Sequence, residues 1–235
     1  MTDLLPTDIV PANDTETAIL SRRAVRGFLA MPVPRDDIEH LLNVAARAPS
    51  GTNMQPWRVI ALAGQPLSDF TTAMVAGLQA RAETTGSERP YYPSPQYEPY
   101  LSRRRKLGWD LYGTLGIARG ETDKMAAHGA RNLQYFGAPV GLICMIDRKL
   151  QVGSWIDYGC FLENIAIAAR GRGLDTCHMA IFAEFPATVR GLLDLPEDDI
   201  IVCGVAIGYA DPDAPANALV TTRVPAGEFS QFRGF

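Results

Sequence analysis

Two stretches without a charged or amide side chain, Ala138–Ile146 and Ile200–Ile207, constrain this chain more than anything else in it. Both are short and rich in branched apolar residues, so each reads as a strand covered on both faces. A strand of that kind needs helices above and below it. The chain supplies them. Apolar residues recur at helical spacing from Thr15, from Asp36 (Ile38, Leu41, Leu42, Ala45), over Leu67–Ala82 (Phe70, Met74, Leu78) and around Glu121–Phe136. A further helix over Trp155–Arg170 is apolar almost all round, which places it in the core or at a subunit seam. Thr15 is the expected cap of the first helix, and Val59–Leu62 reads as another buried strand. Long helices with few interspersed strands indicate an α+β layered fold.

At 235 residues, with 47% hydrophobic and 20% charged side chains, one large domain is expected. Residues 1–14 read as an N-terminal arm and 15–235 as the domain. Within it, 84–120 forms an irregular excursion and 210–235 a C-terminal arm with apolar hooks at Phe229, Phe232 and Phe235. A net charge of −4 argues against nucleic acid as the main partner. No stretch approaches the roughly 18 apolar residues of a membrane span, and no signal peptide is visible. Cys144, Cys160, Cys177 and Cys203 are far apart, so reduced thiols in a cytoplasmic protein are expected, with neither a disulfide framework nor a metal site.

Three stretches carry possible chemistry. Ser21-Arg22-Arg23-Ala24-Val25-Arg26-Gly27-Phe28 places three arginines in five residues, which suits either a solvated basic surface or an anion clamp. Ala48-Pro49-Ser50-Gly51-Thr52-Asn53-Met54-Gln55-Pro56-Trp57 combines stiff prolines with polar side chains. It suits a plain connection, or hydrogen bonding to a flat heterocycle. The excursion alternates Tyr91, Tyr92, Tyr97 and Tyr100 with prolines and then runs into Arg103-Arg104-Arg105-Lys106. A long loop of that kind is often a lid or a subunit boundary.

Phosphate-binding, dinucleotide, nucleophile-elbow and zinc-protease motifs are all missing. His40 and His128 read as exposed, and no carboxylate pair stands out. Arginines, amides and glycines remain, which is the equipment of a protein whose cofactor performs the chemistry.

Those two N-terminal stretches resemble the signatures of the FMN-dependent nitroreductase family. Gly173-Leu174-Asp175-Thr176, Leu195-Pro196-Glu197-Asp198-Asp199, Ile207-Gly208-Tyr209 and Arg223 follow in the family's order. The resemblance implies a nitroreductase-like α+β fold, with a mainly antiparallel central sheet flanked by helices and a C-terminal arm extending onto the partner of a homodimer. It implies FMN sites at the subunit interface. Arg22, Arg23, Ala24 and Arg26 would contact FMN, with Arg223 joining Arg22 on the phosphate. Arg26 would face the ring edge where negative charge gathers on reduction. Pro49, Ser50, Asn53 and Gln55 would reach the flavin of the other subunit. Backbone groups at Met179 and Ala180, and the side chain of Asn132, would address the ring. Ala24 departs from the serine common in the family. The activity implied is two-electron, ping-pong hydride transfer from NADPH or NADH to a nitroaromatic or quinone-like acceptor, with no catalytic side chain. The Arg103–Lys106 run suits the extra phosphate of NADPH. Two other readings stay open: a relative that uses reduced flavin for dehalogenation or flavin fragmentation, and a non-catalytic flavin-binding module.

Overall fold

A computed structural model of the chain describes residues 9–80 and 86–235. Most of the expected N-terminal arm and the first residues of the excursion lie outside the described residues, as do Arg81 and Ala82. Among the described residues one antiparallel sheet has four strands: β1 (Arg58–Ala63), β2 (Val140–Asp147), β3 (Asp175–Met179) and β4 (Asp199–Gly208), in the order β1-β2-β4-β3. The two apolar runs are therefore the central pair, and both are buried nearly end to end. Helices α1 (Asp14–Ser21), α2 (Arg35–Ala45) and α6 (Val152–Gly171) pack together, with α2 and α6 on one face of the sheet. Helix α3 (Gly64–Ala80), the turn Arg131–Gly137 and α7 (Pro186–Leu193) cover the other face.

The side-chain alternation of β2 serves both layers. Leu142, Cys144 and Ile146 face α2 and α6, while Ile143 and Met145 face α3. The register between β2 and β4 shifts at Cys144/Met145, where Cys144 opposes Cys203 but Met145 opposes Ile201. Val202 is the extra residue of that bulge, so Val202 and Cys203 both reach the α2/α6 side. On the α3 side, Phe182 stacks on Tyr135 with ring centroids 4.7 Å apart. A Cβ at Gly204 would strike the Phe182 ring, so the glycine lets that aromatic pair lie directly on β4.

Four expectations need correction. The first helix is capped by Asn13, whose side chain accepts from the Glu16 N–H at 3.0 Å, not by Thr15. Strand β1 is an edge strand in this chain, and of its residues only Leu62 is buried, so Val59–Leu62 is not a core strand. The helix expected over Glu121–Phe136 is α5 (Thr122–Ala130) followed by a tighter turn. Tyr135 and Phe136 take left-handed φ of 50° and 54° there, a conformation bulky residues rarely adopt, and both are fully buried. Core packing of the two rings outweighs the local backbone preference. Finally, His128 is half-buried rather than exposed, against the Phe136 ring.

The excursion contains α4 (Tyr100–Thr114), and no residue of α4 is buried. A short helix α8 (Ala226–Phe229) lies in the C-terminal arm. No described helix is long and apolar enough to cross a membrane.

Candidate functional site

The arginine segment runs as a strand-like extension of the sheet. Ala24 forms a parallel bridge with Thr176, and the Val25 N–H donates to the Thr176 carbonyl at 3.0 Å. Beyond it Phe28 bridges Ala210, and the Leu29 N–H donates to the Tyr209 carbonyl at 2.9 Å. The segment thus joins β3 at Thr176 and the chain just beyond β4 at Tyr209 and Ala210. A Cβ at Gly27 would collide with the Ala214 methyl, so only glycine permits this close approach to the C-terminal arm.

Asn217 fixes the segment from the other side. Its carbonyl oxygen accepts from the Arg26 N–H at 2.8 Å. Its amide donates to the Gly27 carbonyl at 2.8 Å and to the Asp211 carbonyl at 2.9 Å, and the side chain is buried. Arg23 in turn donates to the Asn217 backbone carbonyl at 2.6 Å. Beneath lies an ion pair, Arg170 Nη1 to both Asp175 oxygens at 2.9 and 3.0 Å, with Arg170 Nε donating to Ser21 Oγ at 3.1 Å. Removing charges from water is costly, and here each is compensated by a close partner. Burial raises the Asp175 pKa, while Arg170 and Arg23 pull it back. Burial also lowers the Arg23 pKa, opposed by Asp175.

Arg22, Arg23, Ala24 and Arg26 line a cleft of about 630 Å³ together with Arg223 and other residues of the C-terminal arm, and with one face of α4. Six cations line it (Arg22, Arg23, Arg26, Arg103, Lys106, Arg223) against two carboxylates, Asp110 and Glu228. Arg22 pairs with Glu163 of α6 at 3.3 Å, and among the described residues Arg223 bonds only neighbouring oxygens, Thr221 Oγ1 at 2.8 Å and the Thr222 carbonyl at 3.0 Å. Arg23 Nε is buried without a partner among the described residues. A cleft with this excess of guanidinium groups is built for an anion.

The other predicted contacts are elsewhere. Ser50 donates to Asp157 of α6 at 3.1 Å and accepts from the Gln55 N–H at 2.8 Å, and the Gly51 N–H donates to the same Asp157 oxygen at 2.9 Å. Trp57 stacks on Phe161 with centroids 4.9 Å apart. The loop is thus bolted to α6, and its remaining polar side chains, Thr52, Asn53 and Gln55, are exposed with left-handed φ of 51°, 60° and 51°. Asn132 is half-buried and donates to the Gly129 carbonyl at 2.9 Å. Met179 is buried, and Ala180 opens the turn that follows β3. Pro49, Ser50, Asn53, Gln55, Asn132, Met179 and Ala180 are not among the residues lining the arginine cleft of their own chain.

Sequence reasoning missed Asn217, which carries no local signal inside a proline-rich stretch. It also missed Asp157 and Glu163, although two acids on a helix otherwise apolar almost all round demand partners. They are six residues apart, about 9 Å along the axis and on different sides of α6. One holds the Ser50 loop and the other holds Arg22.

Comparison with known proteins places this architecture. A sequence model of the Nitroreductase family matches residues 19–209. The chain belongs to that family. This nitroreductase-family chain is 39% identical over 214 residues to the nitrobenzene nitroreductase of Ectopseudomonas oleovorans, covering 91% of this chain and 94% of that one. It is 42% identical over 216 residues to the NADH dehydrogenase of Thermus thermophilus, covering 92% and 96%. Its fold matches the crystal structure of the FMN and NADPH-dependent nitroreductase NfnB from sphigopyxis sp. strain HMH. There the TM-score is 0.90 at 35% identity, over 94% of this chain and 99% of that one. The family expectation and the mainly antiparallel α+β architecture therefore both hold.

The donor set fits FMN, a flat ring on a phosphate chain. Arginines without a full complement of carboxylates suit a phosphate and an electron-rich ring edge, and the unpartnered Arg23 Nε marks a place for a further acceptor.

Proposed function

We propose that this protein is an NAD(P)H-dependent FMN oxidoreductase that reduces nitroaromatic or quinone-like acceptors by two-electron, ping-pong transfer, working as a cytoplasmic homodimer. The observation that carries this reading is the arginine cleft, in a chain of the Nitroreductase family. Curated relatives named as nitroreductases support the acceptor class, including the 4-nitrobenzoate reductase of Pseudomonas putida, 37% identical over 223 residues. When bound, FMN supplies a ring that takes two electrons from the nicotinamide and passes them on.

The chain's own residues bind and orient. Arg22 and Arg223 hold the phosphate, and Glu163 keeps Arg22 aimed while screening part of its charge. Arg26, tied through its backbone to Asn217, presents a cation to the charge that develops on the reduced ring. Arg23 is held by the Asn217 carbonyl and attracted by Asp175 of the buried ion pair. Pro49, Ser50, Asn53 and Gln55 come from the partner subunit. Loop and arginines project from different sides of one helix, so a ligand that needs both is held between two copies. Val152 and Ile156 of α6 are 75% and 65% exposed, and Phe229, Phe232 and Phe235 are also exposed. Apolar surface of that extent is what a second copy would cover.

Anaerobic titration of the purified protein with NADH and NADPH, following the flavin spectrum, tests the function. Bleaching by a nucleotide and recovery of colour on adding a nitroarene is the expected result. A preparation with no blue-region flavin absorbance, before or after incubation with FMN, overturns the reading.

A further inference from the structure

We infer that Arg103 reads the extra phosphate of NADPH, so that one side chain of α4 sets the choice between the two nicotinamide nucleotides. The inference rests on the function proposed above. It begins with the basic run Arg103–Lys106, which the helix divides. Arg103, Lys106, Leu107 and Asp110 recur at the spacing of one helix face, and all four line the cleft. Arg104 and Arg105 do not line it, and the Arg104 guanidinium lies 5.4 Å from the centroid of the Tyr92 ring, on the excursion.

The charges in the cleft then single out one residue. In the proposed function FMN takes Arg22, Arg26 and Arg223, and Arg23 is held by the Asn217 carbonyl. Lys106 is neutralised one turn along α4 by Asp110, at 2.6 Å. Arg103 remains, and among the described residues no carboxylate pairs with it. Its guanidinium lies 5.9 Å from the centroid of the Tyr100 ring, one turn back on the same helix, and this contact steers the head group without using its N–H donors. Tyr100 is itself braced edge-on by Tyr97, with centroids 5.2 Å apart.

An unpaired guanidinium on the wall of an anion-binding cleft matches a phosphate monoester. Its planar fork donates two parallel N–H bonds to a pair of phosphate oxygens, and it keeps its charge at any working pH. NADPH carries such a group on its adenosine ribose and NADH carries a hydroxyl there, so the interaction is available to one nucleotide only. The cleft volume of about 630 Å³ exceeds the needs of a single small anion.

The test uses the FMN-loaded protein and two probes that contain the discriminating half of each nucleotide, 2′,5′-ADP and 5′-AMP. Calorimetric titration is expected to show 2′,5′-ADP binding about tenfold or more tighter to the wild type, roughly 1.4 kcal/mol. Arg103→Ala should remove that preference, Arg103→Lys should keep part of it, and Arg104→Ala should keep it whole. In parallel, the ratio of kcat/KM for NADPH to that for NADH should fall by about the same factor in Arg103→Ala. Because α4 buries no residue, these substitutions leave the core untouched. A wild type that binds both probes alike, or an Arg103→Ala protein that keeps the wild-type preference, overturns the inference. Flavin that neither nucleotide bleaches overturns the proposed function instead, and the probe titration still decides the role of Arg103.

Discussion

One buried amide, Asn217, holds three backbone groups of two separate segments: the Arg26 N–H and the carbonyls of Gly27 and Asp211. Truncating it would leave those groups buried without partners, and desolvated polar groups are costly to leave unsatisfied. Asn217→Ala is therefore expected to lower stability by about 2–3 kcal/mol, read from urea unfolding. It should also lower the flavin-to-protein ratio after gel filtration, because Arg26 loses its backbone tether. Unchanged stability with full flavin would show that the arm does not organise the arginines. His178 supports a second expectation at this scale. Burial and the nearby Arg22 push its pKa down from 6.5 to about 4, and its Nε2 has no partner among the described residues. The folded state thus resists protonation while the unfolded chain takes up a proton between pH 6.5 and about 4. Stability is flat with respect to this group above that window and falls as pH drops through it, by at most about 1.4 kcal/mol per pH unit. Melting temperatures between pH 7 and 4 should fall more steeply for the wild type than for His178→Gln, and parallel slopes would refute the assignment.

At the scale of elements, α6 is the frame to which both halves of the proposed site are fixed. Asp157 accepts from Ser50 and Gly51, Glu163 accepts from Arg22, and Phe161 carries the Trp57 ring. Ser50 spends its hydroxyl on this framework in both directions and Thr52 donates to the Gly51 carbonyl, which leaves the exposed amides of Asn53 and Gln55. Replacing both with Ala should weaken flavin retention severalfold, measured as the dissociation constant for FMN, without changing the mass by light scattering. Full flavin occupancy in that double variant would place the site elsewhere. The loop was legible in the sequence as a stiff polar connection, since prolines and amides declare themselves locally. Its attachment to α6 was not legible, because the partner acid is more than a hundred positions away.

For the whole molecule, α4 and the last ten residues carry aromatic and apolar side chains that their own chain leaves uncovered. Tyr100 and Trp109 are exposed on α4, and Phe232 packs edge-on against Phe235 with centroids 5.9 Å apart in an otherwise exposed tail. If the arm wraps a second copy, deleting residues 226–235 removes apolar area from an interface that flavin retention depends on. Sedimentation at decreasing protein concentration should then show dissociation where the full chain remains dimeric, with flavin lost in step. A truncated protein that sediments like the full chain at every concentration would assign the arm another role.

The sequence by itself determined the layers. Unbroken apolar runs must become buried strands, and helical spacing of apolar residues must cover them, because both follow from local periodicity and the cost of exposing apolar surface. It also marked the arginine segment and the proline-rich loop, and through their order along the chain it identified the family. Only the tertiary structure decided that β1 is an edge, since edge and centre depend on which strands pair across distant sequence. It likewise ended α5 early, where two buried rings impose a backbone that propensity disfavours. The division of the Arg103–Lys106 run into two cleft-facing and two outward cations also depended on where α4 lies. Residue order sets which side chains share a helix face; packing alone decides what that face meets.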